Sequence, residues 1–354
     1  MASPHPSSPS SLPSSLPASS APDNGAPRAG ASSPSSPRVA IFGPHPLLTV
    51  TLEREGAERE RIHFHPGGQG VWVARMVAAL GARPVLCEFI GGETGALLQC
   101  ALAELGLHGG ELHDVRTDCA SGCYVTDRRS GERELMAMSL SDPPSRHELD
   151  ELFSLACAEG IAAGWLILAN PMPADALPLG VYGDLVADAR AGGARVLIDL
   201  SSPRLESALR GGPDLVKLND WELAQFVSGP VSGPDRLLDA AHRLLQAGAG
   251  AVLVTRGEQP AYALTRDGRS WWLTPPCLEH GYREGCGDAM LGALAASWAQ
   301  DGDFEHALVV GAAAGAANFL RHGLGSATRE VIERLADSVV LEPLASTQLS
   351  PPAR

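Results

Sequence analysis

The sequence predicts an α/β fold: a mostly parallel central sheet flanked by helices, with a small antiparallel β flap set apart from it. Three observations lead there. From about Ser145 onward, short apolar runs alternate with helical segments, the pattern of parallel strands joined by helices. Earlier, Leu47 to Glu53 and Arg59 to His65 alternate apolar with polar residues, as half-exposed strands do. Glycine-rich turns open helices at Gly67-Gly68-Gln69-Gly70 and at Gly285-Cys286-Gly287-Asp288.

In chain order, residues 1–37 are mostly Ser, Pro and Ala and cannot offset the entropy of folding, so a disordered tail is expected. Arg38 to Gly43 reads as a buried strand. The two alternating segments follow, then the Gly67–Gly70 loop, a helix from Val71 to Leu80 and a stop at Gly81. Pro84 to Ile90 is a strand, and Gly91 to Gly95 opens a helix reaching about Leu105. Ser121 to Thr126 and Glu132 to Met138 flank a turn at 127–131 and read as a hairpin. Segments 47–65 and 119–138 together form the flap, a lid that would exclude water from a reaction at the strand ends.

Further strands are expected at Trp165–Ala169, Arg195–Asp199, Asp214–Lys217 and Ala251–Thr255. Helices are expected near Pro144–Glu159, Asp175–Ala191, Asp220–Val227 and Pro234–Ala247. Pro260–Thr265 and Ser270–Thr274 read as a peripheral hairpin, and two helices follow at about Cys286–Gln300 and Phe304–His322. The ordered domain covers 38–340, and 341–354 reads as a flexible C-terminal tail.

The 354 residues carry a net charge of −14, which argues against a broad basic face for nucleic acid or an anionic membrane. No run is long and apolar enough to span a bilayer, and the N-terminus has no charged-then-apolar signal pattern. Seven scattered cysteines without zinc spacing suggest a reduced, cytoplasmic protein with no structural metal. Lys217 is the single lysine of the chain. An anionic ligand would therefore need a local positive site.

Gly285-Cys286-Gly287-Asp288 is the most informative stretch. Its glycines let the backbone turn and present N–H groups, and a helix start is an anion site. Asp288 in the first turn could act as a base beside a bound phosphate; equally, this composition suits an N-terminal cap. Cys286 at a helix start would favour a thiolate, or it is simply a small buried residue.

The order of motifs resembles the PfkB/ribokinase-like carbohydrate kinases over roughly residues 38–340. The resemblance rests on Gly67-Gly68-Gln69-Gly70 opening a helix, Lys217-Leu218-Asn219-Asp220-Trp221-Glu222 after a central strand, and the late Gly285–Asp288 turn. The loop and its helix, Gly67 to Arg75, are similar to those of the 1-phosphofructokinase and tagatose-6-phosphate kinase branch. The resemblance implies a ribokinase-like fold, ATP and Mg²⁺ as cofactors, Asp288 as general base, and an anion hole at Gly285, Cys286 and Gly287. It implies that Asn219 and Glu222 organise Mg²⁺ and water; alone, the same pair reads as a helix capping box. Lys217, Thr255, Gly257, Asn318 and Gly323 fall where the family borders the nucleotide. Gly67, Gly68, Gln69, Gly70, Thr49 and Asn170 fall where it holds its substrate, a sugar or sugar phosphate.

Departures cluster on the acceptor side. Thr49 stands where the branch has a sugar-binding Asp, Gln69 where it has Lys, and Trp72 where it has Asn. Arg75, Arg128, Arg129 and Arg133 are candidate replacements for the lost positive charge. The expected activity is an ATP-dependent kinase acting on a hydroxyl of a sugar or sugar phosphate. Two alternatives stand beside it: a non-catalytic nucleotide- or sugar-binding sensor, and a nucleoside kinase in which Trp72 stacks on a base. Free strand edges on the lid make a second copy of the chain a candidate partner.

Overall fold

The computed structural model describes residues 36–56, 59–107, 112–131, 133–321 and 324–344. All but the last two residues of the expected tail over 1–37 lie outside these. Seven strands of the main sheet run parallel, in the spatial order β11 (Ala251–Arg256), β10 (Leu215–Asn219), β9 (Arg195–Asp199), β8 (Trp165–Ala169), β1 (Arg38–Phe42), β4 (Arg83–Gly91) and β5 (Leu112–Thr117). Apart from the edge strand β5, their sequences are largely apolar, as suits strands covered by helices on both faces. On one face, α1 (Gln69–Ala79), α8 (Cys286–Asp301), α9 (Phe304–Phe319) and α10 (Arg329–Ala336) share one apolar core. On the other lie α3 (Arg146–Ala163), α4 (Gly180–Ala191), α5 (Arg204–Gly211), α6 (Asp220–Phe226) and α7 (Pro234–Ala247). The strand order reverses between β8 and β1, and ligands bind in the crevice that such a reversal opens at the carboxyl ends of strands.

Two expectations need correction. The hairpin β12 (Gln259–Thr265) and β13 (Ser270–Thr274) is not peripheral: it pairs antiparallel with β11 and widens the main sheet. The supposed C-terminal tail begins with a strand, β14 (Val340–Leu344), paired with β13. Both errors come from reading short strands without their partners.

The lid is a separate four-stranded sheet. β2 (Leu47–Glu55) and β3 (Arg59–Gly67) form one antiparallel hairpin, β6 (Gly122–Asp127) and β7 (Glu134–Ser139) another, and a parallel β2–β6 pair joins them. At its base Leu48 packs on Ile90 and on Leu98 of α2 (Gly92–Glu104). Beyond that base, Val50, Phe64 and Val125 lie in one row and Leu52 and Ile62 in the next, all on one face. Phe64 is 56% exposed and Ile62 60% exposed. Among the described residues no helix is long and apolar enough to cross a membrane.

One buried group works against the fold. Glu88 of β4 has no exposed surface and lies opposite Asp114 of β5. Neither of its carboxyl oxygens has a hydrogen-bond partner among the described residues. Burial, aided by the Asp114 charge, raises its pKa well above 4.5. The folded chain therefore keeps a proton that the unfolded chain releases, and stability falls as pH climbs above about 4.5 toward the folded value. Glu88→Met should stabilise the protein by about 1–3 kcal/mol at pH 8 and by less at pH 5. Urea denaturation at both pH values checks this; an equal gain at the two would contradict it.

Candidate active site

Four parallel strands deliver polar residues to one crevice through their carboxyl ends. Asn170 follows β8, Asp199 ends β9, Lys217 and Asn219 close β10, and Thr255 lies near the end of β11. The start of α8 meets them. Gly285 caps that helix at φ 70, a left-handed conformation that glycine adopts without steric cost. Gly287 sits so close to Lys217 that a Cβ there would collide with Nζ.

Lys217 is buried, and its Nζ lies 2.5 Å from Oδ2 of buried Asp199. Burial disfavours the ammonium, but the carboxylates of Asp199, Asp288 and Glu222 outweigh it, and the pKa rises. Asp288 is only 9% exposed. Its pKa is pushed up to about 7, first by burial and then by the Asp199 charge, against the pull of Lys217 and a hydrogen bond from Gln69. Burial and then Asp199 likewise raise Glu222. Three carboxylates thus share one ammonium, beside a helix N-terminus whose backbone N–H groups are anion donors. A carboxylate poised near neutrality beside such donors can take a proton from a hydroxyl while a neighbouring anion gains charge.

A cavity of about 280 Å³ adjoins this cluster. Its polar end includes Lys217, Asn219, Thr255 and Gly257, and Cys286 and Gly287 border it. Pro275, Ala312, Ala316 and Phe319 supply apolar wall. Burial raises the Cys286 pKa, and its thiol donates to the Tyr282 carbonyl at 3.4 Å, which favours the small buried cysteine over the thiolate of the two readings. Asn318, expected at the nucleotide, has no exposed surface. It donates to the Glu284 carbonyl at 3.0 Å and accepts from Gly325 N–H at 2.7 Å, tying the two loops together. Gly323 lies outside the described residues.

On the acceptor side, Thr49, Gly67 and Trp72 come together. A Cβ on Gly67 would meet the Thr49 hydroxyl at 3.0 Å and the Trp72 ring at 3.6 Å. Gly68 caps α1, and Gly70 crosses Gly43 backbone to backbone, an approach a Cβ on either would obstruct. Asn170 was expected to face the sugar, but its side chain is consumed locally. Its Oδ1 accepts from Ser201 N–H and from Arg204 Nε, each at 3.2 Å, and its Nδ2 donates to the Asp199 carbonyl at 3.0 Å. Gln69 also points inward, accepting the Asn170 N–H. Arg129 is held by Asp127 and Glu60, and Arg133 is paired with Glu284, next to the Gly285 turn. Arg128 lies over the Tyr282 ring at 5.5 Å, and Arg75 donates to the Leu324 carbonyl at 2.6 Å.

Residues 46–330 match the pfkB family carbohydrate kinase profile. The chain belongs to this family. It is 28% identical over 265 residues to the ATP-dependent 6-phosphofructokinase isozyme 2 of Escherichia coli, covering 73% of this chain and 83% of that one. It is 31% identical over 240 residues to the 1-phosphofructokinase of Rhodobacter capsulatus, covering 64% and 71%. The tetrameric inhibited form of Escherichia coli phosphofructokinase-2 superimposes with a TM-score of 0.74 at 25% identity, over 85% of this chain and 99% of that one. Arabidopsis thaliana ribokinase, complexed with ribose and ATP, shares the fold at a TM-score of 0.68 and 17% identity, over 85% and 99%.

In this carbohydrate kinase, Asn219 and Glu222 form a capping box: Asn219 Oδ1 accepts from Glu222 N–H at 2.9 Å, and Glu222 Oε2 accepts from Asn219 N–H at 2.8 Å. Among the described residues no three carboxylate, imidazole or thiol side chains converge as a metal cluster. Sequence reasoning missed Asp199 of the kinase. The only signal was a carboxylate ending an apolar strand, Val196-Leu197-Ile198-Asp199, in a fold that binds ligands at strand ends. Its partner, 18 positions later, is visible only in three dimensions.

Proposed function

We propose that the kinase transfers the γ-phosphoryl group of ATP to a hydroxyl of a sugar or sugar phosphate, with Asp288 as general base. The observation that carries this is the buried Asp288 carboxylate in the first turn of α8, with Lys217 and the Gly285–Gly287 backbone around it. ATP supplies the phosphoryl group. The Asp288 carboxylate takes the proton of the acceptor hydroxyl as its oxygen bonds to phosphorus and the bridging bond to ADP breaks. The N–H groups of Gly285, Cys286 and Gly287, with the Lys217 ammonium, stabilise the charge on the equatorial oxygens. Thr255 and Gly257 lie where the nucleotide would enter, and Thr49, Gly67 and Trp72 shape the acceptor side.

The excess of three carboxylates over one ammonium fits a hydrated Mg²⁺, an ion that keeps most of its waters and needs few protein oxygens. Glu222, with one oxygen outside its capping bond, would hold it with Asn219. The apolar lid face suits a second copy of the chain: exposed Ile62 and Phe64 lie on it beside half-buried Val50 and Val125.

ADP release from Mg²⁺-ATP across a panel of sugars, sugar phosphates and nucleosides tests the reading; silence across the panel would favour a sensor. Asp288→Asn should lower turnover at least ~10²-fold, while ATP still shields the chain's one lysine from an amine reagent. Wild-type activity should climb as pH rises through about 7, because the base acts only when ionised. Unchanged turnover in the variant, or a rate flat across that range, would count against Asp288. Glu222→Gln should raise the Mg²⁺ concentration for half-maximal rate; an unaltered titration would leave Glu222 a cap only. Phe64→Glu should dissociate the dimer in sedimentation, and an unaltered mass would place the contact elsewhere.

A further inference from the structure

Three consecutive residues of the loop before α8 take different partners. Tyr282 lies against the Arg128 guanidinium of the lid, and Glu284 pairs with Arg133 of the lid. Arg283, between them, reaches instead to Glu258, in the short turn between β11 and β12, at 2.6 Å. Both members of this ion pair line the cavity of about 280 Å³, together with Lys217, Gly257, Cys286 and Gly287. The pair therefore joins the β11–β12 turn to the loop that leads into the Gly285–Gly287 turn.

Three cationic side chains line the cavity. The Lys217 ammonium is buried and bonded to Asp199 at 2.5 Å. The Arg256 guanidinium lies over the Trp272 ring at 5.9 Å and donates to the Pro260 carbonyl at 3.3 Å and to the Gln259 side chain. Arg283 differs in its setting: its side chain is 77% exposed and that of Glu258 71% exposed. An ion pair so open to water contributes little, so giving up Glu258 for another anion costs little. A guanidinium offers two parallel donors to a phosphate, and such charge-assisted pairs are the strong ones. Glu258 is the single carboxylate lining the cavity among the described residues, and it would repel a phosphate.

We propose that Arg283 is a nucleotide-phosphate contact with Glu258 as its resting counter-ion: when the cavity fills, the guanidinium exchanges the carboxylate for the phosphates that stay with ADP. Its place follows from the two ends it joins. Gly257 lies where the nucleotide would enter, and the Gly285–Gly287 turn is the end assigned to the transferred group. A triphosphate carries more negative charge than one Mg²⁺ offsets, so a further cation at the phosphates favours binding. The proposal rests on the cavity being the ATP site.

The test is calorimetric titration of the full-length chain with ATP, ADP and AMP, each with Mg²⁺. It compares wild type, Arg283→Ala, Glu258→Gln and the double variant. Both side chains are exposed, so the substitutions leave the core intact. Arg283→Ala should weaken ATP and ADP about tenfold and AMP by less than about twofold. Glu258→Gln should tighten ATP and ADP by about two- to fivefold, because nothing then competes for the guanidinium. That gain should vanish in the double variant. A merely structural ion pair gives the opposite sign: Glu258→Gln that binds ATP no tighter than wild type overturns the exchange. Unchanged ATP and ADP affinity in Arg283→Ala overturns the phosphate contact. So does a loss shared equally by AMP, or one confined to ATP, which would move the guanidinium away from the phosphates of ADP. In each of these cases the wild type still binds ATP and the cavity keeps its assignment. A wild-type chain that binds no nucleotide overturns that assignment, and the proposal falls with it.

Discussion

The Lys217 ammonium, buried between the ends of β9 and β10, organises the site. An unpaired charge there would cost several kcal/mol in desolvation, and so would each carboxylate around it. Asp199 meets it at 2.5 Å, while Asp288 and Glu222 contribute through their fields. Burial first, and the Asp199 charge after it, push the Asp288 pKa up to about 7. The ammonium also crowds the helix start, because a Cβ at position 287 would force the Lys217 Nζ to shift.

Around that centre, polar side chains act mostly on the backbone. Asn318 ties the loop before α8 to the loop at Gly325. Asn170 ties the end of β8 to the start of α5. Asn219 and Glu222 close the first turn of α6. Each bond satisfies a group that burial would otherwise leave unpaired, and each holds a strand end or helix start in place.

The lid reaches the turn before α8 from its β6–β7 hairpin. Arg133 pairs with Glu284, and Arg128 lies on Tyr282, both just before the Gly285 turn. Ion pairs with an exposed partner contribute little to stability, and Glu284 is 58% exposed in its side chain. Among the basic residues near the lid, Arg129 and Arg133 have acidic partners, and Arg75 donates to a loop carbonyl.

The sequence by itself determined the alternation of strands and helices, the lid as a separate half-exposed sheet, and the Gly285–Asp288 turn. These are local: side-chain periodicity and glycine placement act within one turn or one strand. It also contained the Lys217-x-Asn219-x-x-Glu222 pattern, though not which of its two readings the geometry uses. It took the tertiary structure to show that Asp199 answers Lys217, that Gln69 accepts the Asn170 N–H, that Asn170 and Asn318 brace loops, and that β12 to β14 widen the main sheet. Those outcomes depend on which strand ends lie side by side. That adjacency is set by burial of apolar surface across the whole sheet, and no single stretch of sequence encodes it.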